Sequence, residues 1–154
     1  MASRRGVSRE DLKSVATECA CRRLRGAART VTRLYDEALR PTGLRTTQFT
    51  LMVAAELHGE AQISQLADTL NLERTTLTRE LKVLEDQGLV SVTQGEDRRA
   101  RIVKVTKDGR RALALGYPLW REAQSRVLSV SEHEGWSELA QRIAALEEIE
   151  ATRV

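Results

Sequence analysis

ISQLADTLNLERTTLTRELKVLEDQGLV, residues 63–90, holds two helical patterns separated by one short turn. Ser64 can cap a short helix carrying Leu66, Ala67 and Leu70. Asn71 then turns the chain and caps a longer helix, Leu72 to Gln87, which ends with Gly88 in the C′ position that helices favour. On that second helix Leu77, Leu81 and Leu84 fall at i, i+4 and i+7, the spacing of a buried stripe. The remaining faces carry Arg74, Thr75, Thr76, Thr78, Arg79 and Lys82. Two helices joined so closely form a helix-turn-helix unit.

Beyond Gly88 the period changes from helical to two. Val90 and Val92 alternate with Ser91 and Thr93, and Ile102, Val103 and Val105 follow a charged GEDRRA segment at 95–100. This pattern predicts a β-hairpin with a charged tip. Thr106 caps a further helix carrying Leu113, Leu115, Leu119, Trp120, Ala123 and Val127, which Pro118 is expected to kink or break. Ser131–Glu134 has the S-x-x-E form of a capping box. It opens a terminal helix with Trp136, Leu139, Ala140, Ile143, Leu146 and Ile149 expected inward. Upstream, apolar residues keep helical spacing from Ser8 to Leu39 and predict one long helix, ended by Pro41 and Gly43. A second helix is expected from Thr46, its N-cap, to Gly59.

The order helix, helix, helix-turn-helix, hairpin, helix, helix predicts a mainly α (α+β) protein with a winged helix at its centre. The winged helix-turn-helix region is placed at 46–105. The flanking segments, 1–45 and 106–154, are read as a helical dimerisation region, because their apolar stripes exceed what a winged helix needs for its own core.

Composition agrees with this outline. In 154 residues, 41% are hydrophobic and 31% charged, while aromatics make up only 3%, so the core must be built from Leu, Val, Ile and Ala. No apolar run approaches the ~20 residues of a membrane span. The N-terminal MASRRGVSREDLK lacks an apolar segment, so no signal peptide is expected and the location is read as cytoplasmic. The formal net charge is only +3, yet seven basic residues face three acidic ones between Glu96 and Arg111, and the tail from Ser131 is acidic. Such an asymmetry can present one positive face to a polyanion.

The segments 63–81, 84–90, Asp97-Arg98-Arg99 and Val105–Arg110 together resemble the MarR family of bacterial regulators, in order and spacing over nearly the whole chain. Thr78-Arg79, Asp97-x-Arg99 and Thr106-x-x-Gly109-Arg110 match that family's landmarks. The resemblance implies a homodimer joined through its N- and C-terminal helices. Its two winged helices would grip successive major grooves of double-stranded DNA, under control by a small molecule or an oxidant.

In that setting Arg74 can pair bidentately with guanine, and the threonines can serve phosphates or a thymine methyl. At the hairpin tip, Arg98, Arg99 and Arg101 can lay a guanidinium into a narrow minor groove. Asp97 is expected to orient Arg99 through a charge-assisted pair. The plainer alternative is a solvated helix face and a hairpin kept soluble by charge.

Control residues are open to two readings. Cys21 lies beside Arg22, Arg23 and Arg25, whose charge favours a thiolate. It aligns with the reactive cysteine of the family's organic-hydroperoxide regulators, and Tyr35 aligns with one of that branch's tyrosines. Thr46 occupies the other tyrosine position, and Arg22 and Arg25 stand where the branch keeps aromatics. The other reading makes Cys19 and Cys21 small core-facing side chains, set on opposite sides of one helix and unable to bridge. Likewise Arg29, Arg33, Tyr117 and Trp120 are candidates to line a pocket for a small aromatic or acidic effector, or else are aromatic core and solvated arginines.

No phosphate-binding loop, dinucleotide fingerprint, nucleophile elbow or zinc-protease motif is present. Accordingly no enzyme activity, cofactor or metal is expected, nor a membrane partner. The competing function is an architectural or protein-interaction module without sequence specificity.

Overall fold

The structure, a computed structural model, describes residues 6–95, 100–129 and 133–148. The chain divides into two compact units, Met1–Leu34 and Tyr35–Val154.

The first unit contains α1 (Arg9–Glu18) and most of α2 (Ala20–Leu39). Ser8 opens α1 with a capping box. Its hydroxyl accepts from the Asp11 N–H at 3.1 Å, and the Asp11 carboxylate accepts from the Ser8 N–H at 3.0 Å. The Ser8 hydroxyl also donates to that carboxylate at 2.7 Å, and this bond, followed by the one from the Ser8 N–H, holds the Asp11 carboxyl below its usual range. The single long helix expected from Ser8 to Leu39 is instead two, because Cys19 leaves the helical region with φ −57° and ψ 108°. Two side chains sustain the break. Thr17 donates its hydroxyl back to the Lys13 carbonyl at 3.0 Å, a bond that competes with regular helix. The Arg23 guanidinium donates to the Thr17 carbonyl at 2.9 Å. Cys19 is half-buried and Cys21 exposed, so Cys21 does not face a core within the chain, and the two cysteines do not share one helix.

The second unit begins within α2 at Tyr35 and Leu39, both buried. After a 3₁₀ turn at Arg40–Thr42 come α3 (Thr46–His58), β1 (Ala61–Gln62), α4 (Ile63–Thr69) and α5 (Arg74–Asp86). Strands β2 (Val90–Gln94) and β3 (Arg101–Val105) then form the hairpin, and α6 (Lys107–Leu128) and α7 (His133–Glu147) complete the described chain. The antiparallel sheet has the order β1-β3-β2, with Val90 opposite Val105 and Val92 opposite Val103. Strand β1, too short for a period-two signal, pairs Ala61 with Val103 and was invisible to pattern reading.

Helix bodies lie where the periodicity predicts, and their starts shift by one to a few residues. Helix α3 is capped at Arg45 and not Thr46: the Gln48 side chain accepts from the Arg45 N–H at 3.0 Å. The Asp36 carboxylate of α2 takes the Thr46 N–H at 2.7 Å. Helix α4 starts after Gln62 and not at Ser64, with Gln65 accepting from the Gln62 N–H at 3.0 Å. Asn71 does turn the chain, at φ 48°; its short amide tolerates that left-handed conformation. The N-cap of α5, however, is Glu73. Gly88 sits just past α5 at φ 72°, as expected of a C′ glycine.

Leu39, Leu51, Met52, Leu66, Leu77, Leu81, Leu84 and Val103 are fully buried, and they join α3, α4, α5 and the sheet into one core. Each such side chain contributes about 1.5–3 kcal/mol relative to exposure. Helix α6 closes this core and runs through Pro118 without a break. Proline removes the bond to the Ala114 carbonyl, and since Ala114 and Pro118 are both exposed, water can take its place. Thr106 caps α6 by accepting from the Gly109 N–H at 3.0 Å. In α7, Leu139 and Leu146 are 42% and 46% exposed, contrary to their expected inward placement. Ile149 and the Ser131 end of the capping box lie outside the described residues.

Candidate nucleic-acid interface

Leu77, Leu81 and Leu84 anchor one side of α5 in the core and so fix what its other side presents. Arg74, Thr75, Thr78, Arg79 and Lys82 are all exposed, while Thr76 is half-buried toward the edge. Arg74 is the first helical residue, where the helix dipole also favours an anion. The Thr78 hydroxyl donates to the Arg74 carbonyl at 2.8 Å. Lys82 reaches Asp86 one turn on, at 2.6 Å, and this pair raises the lysine's affinity for its proton. Arg79 lies 3.9 Å from Glu80, a long and solvated pair. A cleft beside this face is lined by Ser64, Asp68, Asn71, Glu73 and Arg74, at the turn between α4 and α5.

The hairpin supplies the neighbouring edge. Arg101 is exposed at the start of β3, opposite Gln94. Asp97, Arg98 and Arg99 lie outside the described residues. Two other basic residues of this segment are engaged within the fold: Lys104 with Glu60 at 2.5 Å, and Arg110 with Glu56 at 2.7 Å. Glu85, on the last turn of α5, accepts from the Val92 N–H of β2 at 3.2 Å. Sequence reading missed Glu85, although it stands in the quoted LEDQGLV segment; no local pattern distinguishes a carboxylate that bonds a strand from one that faces water.

Three aromatic residues, Tyr35, Tyr117 and Trp120, collect elsewhere in the second unit. Trp120 stacks between Tyr35, at 6.5 Å between ring centroids, and Tyr117, at 6.2 Å. The Tyr35 hydroxyl donates to the Gln124 side chain, and burial pushes its phenol pKa up. The Arg121 guanidinium lies 5.9 Å from the centre of the Tyr117 ring. Tyr117 and Trp120 are thus brought together with Tyr35. Arg29 and Arg33 are exposed on α2 in the first unit, where they border a shallow concavity with Thr30 and Thr32.

A helix-turn-helix whose second helix is backed by core leucines and followed by a hairpin defines a winged helix-turn-helix protein. Comparison with known proteins agrees. The model of the MarR family matches residues 44–100. An uncharacterized HTH-type transcriptional regulator, YwoH of Bacillus subtilis, is 34% identical over 82 residues, which span 53% of this chain and 60% of that protein's length. Among solved structures, the M. tuberculosis transcriptional regulator MosR in complex with DNA is 41% identical, over 89% of this chain and 100% of that one, with a TM-score of 0.82. A mutant MarR from E. coli complexed with operator DNA shares the fold at 18% identity and a TM-score of 0.79, over 86% of this chain and 96% of that one. The chain belongs to the MarR family.

Proposed function

We propose that this protein is a sequence-specific DNA-binding regulator, a repressor acting as a homodimer on a pseudo-palindromic operator. The observation that carries this reading is the exposed face of α5, with Arg74 at its N-terminal end and Thr75, Thr78, Arg79 and Lys82 behind it. Residues near the N-terminus of such a helix reach base edges in the major groove, and basic and hydroxyl groups further along meet phosphates. MosR, which shares 41% identity with this chain, was solved on DNA. The wing arginines Arg98, Arg99 and Arg101 are assigned to the adjoining minor groove, with Asp97 holding Arg99 in place.

Dimerisation is supported by apolar side chains left uncovered in the single chain: Leu12, Val15, Leu24 and Val31 in the first unit and Leu139 and Leu146 in the second. Release of DNA is assigned either to oxidation at Cys21, which is exposed and adjoins Arg22 and Arg23, or to an aromatic acid bound near Tyr35, Tyr117 and Trp120.

The test is fluorescence anisotropy with the duplex upstream of the protein's own gene against a scrambled duplex, at two salt concentrations. Parallel samples receive peroxide followed by reductant, or salicylate as a probe aromatic acid. Preferential, salt-sensitive binding is expected. Reversal by peroxide assigns control to the thiol, and reversal by salicylate to the aromatic site. Equal affinity for both duplexes would overturn sequence specificity in favour of an architectural or protein-interaction module. Arg99→Ala is expected to weaken binding and leave the dimer intact by sedimentation; unchanged affinity removes the wing from the interface.

A further inference from the structure

The recognition helix and the wing are joined by only three residues, Gln87, Gly88 and Leu89, between the end of α5 at Asp86 and the start of β2 at Val90. What holds one at a fixed angle to the other is legible in the hydrogen-bond pattern of the sheet. Gly95 donates its N–H to the Ala100 carbonyl at 2.9 Å, and Thr106 donates to the Leu89 carbonyl at 3.0 Å. These bonds mark 95 with 100 and 89 with 106 as hydrogen-bonded pairs. Alternation in an antiparallel ladder then turns the N–H groups of Ser91 and Thr93 toward β3, and those of Val90, Val92 and Gln94 away from it. Among the described residues β2 is the sheet's edge strand, so no further strand pairs along the side to which the Val92 N–H points. The Val92 N–H is instead taken by the Glu85 carboxylate at 3.2 Å. The same residue's carbonyl accepts from the Gly88 N–H at 2.9 Å, at the glycine where the chain reverses. Glu85 therefore holds both the turn and the strand beyond it, from a half-buried position.

Resting on the DNA-binding reading above, we propose that Glu85 is a positioning residue that fixes the wing against the recognition helix, so that both meet one duplex together. A carboxylate is suited to this because a charge-assisted bond to a backbone N–H is stronger than a neutral one. The bond also covers a strand edge that would otherwise offer unpaired groups. Lys82 and Asp86 flank Glu85 on the outer side; Lys82 feels the Glu85 charge but is bonded to Asp86, which leaves the Glu85 oxygen for Val92.

The experiment compares wild type, Glu85→Ala and Glu85→Gln by amide exchange at Val92 and by DNA anisotropy across a salt series. Alanine keeps α5 a good helix, and glutamine keeps an oxygen acceptor. Glu85→Ala is expected to speed exchange at Val92 about tenfold or more, to weaken duplex binding about tenfold, and to flatten the dependence of log K on log salt by about one to three, as wing phosphate contacts are lost. Glu85→Gln should restore most of each. With the wing already disarmed by Arg99→Ala, adding Glu85→Ala should cost little more, because both act through the same contact. Wild-type binding with Glu85→Ala unchanged overturns this role alone. Weaker binding with an unchanged salt slope and additive effects with Arg99→Ala overturns it too, because the loss would then be general. Wild type that prefers no duplex overturns the DNA reading and this role together.

Discussion

Helix α6 touches the hairpin at one glycine. A Cβ on Gly109 would stand 2.1 Å from the Leu89 carbonyl oxygen and 2.6 Å from a Val105 methyl. In an open helix, Gly→Ala gains up to about 1 kcal/mol. Here the obstacle is backbone, so α6 and the start of β2 would have to part. Gly109→Ala is expected to destabilise by about 3 kcal/mol, read as a fall in the urea midpoint with little change in slope. Gly116→Ala is the control: its Cβ would meet the Phe49 ring at 2.7 Å, a side chain that can yield, so the loss should be smaller. Sequence reading found Gly109 through the family landmark Thr106-x-x-Gly109-Arg110, and the structure supplies its steric reason. It could not find Gln124, whose bond to Tyr35 spans 89 residues. Because burial raises the Tyr35 phenol pKa, the folded state holds that proton more tightly than the unfolded chain. The stability this represents is present at neutral pH and lost as pH climbs past the ordinary phenol value toward the folded one. An alkaline melting series should show that decline in wild type and a shallower one in Tyr35→Phe. On the face of α5 proposed to meet DNA, Arg74→Ala is expected to relax discrimination at one base pair by about 1–3 kcal/mol. Lys82→Ala should instead weaken all sequences alike and reduce the salt slope by about 1. Binding to a panel of singly substituted duplexes separates the two.

At the scale of elements, periodicity located the bodies of the helices and of both long strands, because one buried face imposes a repeat on its own sequence. Their ends were less legible. Ser64 and Asn71 are good capping residues by type, yet α4 starts after Gln62 and α5 after Glu73. At α4 the Gln65 side chain takes the Gln62 N–H, a pairing that a ranking of capping residues by type does not contain. The start of α3 shows the same principle across elements: Asp36, ten residues upstream and on another helix, holds the Thr46 N–H. That carboxylate fixes where the chain turns from α2 into the winged helix. Asp36→Ala is expected to cost about 1 kcal/mol, as loss of an N-terminal cap does. Asp36→Asn should retain much of it, since the amide oxygen still accepts. Thermal melting of both variants checks the order. If alanine and asparagine are equally harmless, the Thr46 amide finds another acceptor and the bond contributes nothing to stability.

For the whole molecule, the decisive feature is apolar surface that the single chain does not cover. No residue of α1 is buried, and Leu12 and Val15 are 58% and 63% exposed. Helix α7 leaves Leu139 and Leu146 uncovered in the same way. Scattered exposed leucines need no explanation, but these recur at helical spacing on elements far apart in sequence, and a stripe of that kind is expected to lie against another surface. Sequence reading expected the α7 stripe to face inward, a placement that hydrophobic spacing cannot specify: it says that a face is covered, never by which chain. If a second copy covers it, association and folding are linked, and the melting temperature must rise with protein concentration. Leu139→Arg should then lower the melting temperature, remove its concentration dependence and shift sedimentation toward the single chain. DNA affinity should fall with it, because one winged helix reads only one half-site while a dimer reads two whose centres lie about 10 base pairs apart. Inserting five base pairs between the half-sites puts them on opposite faces of the duplex. That insertion should cost wild type most of its preference and cost the Leu139→Arg variant almost nothing. Equal sensitivity of the two proteins to the insertion would mean that DNA is not gripped by paired copies of this chain.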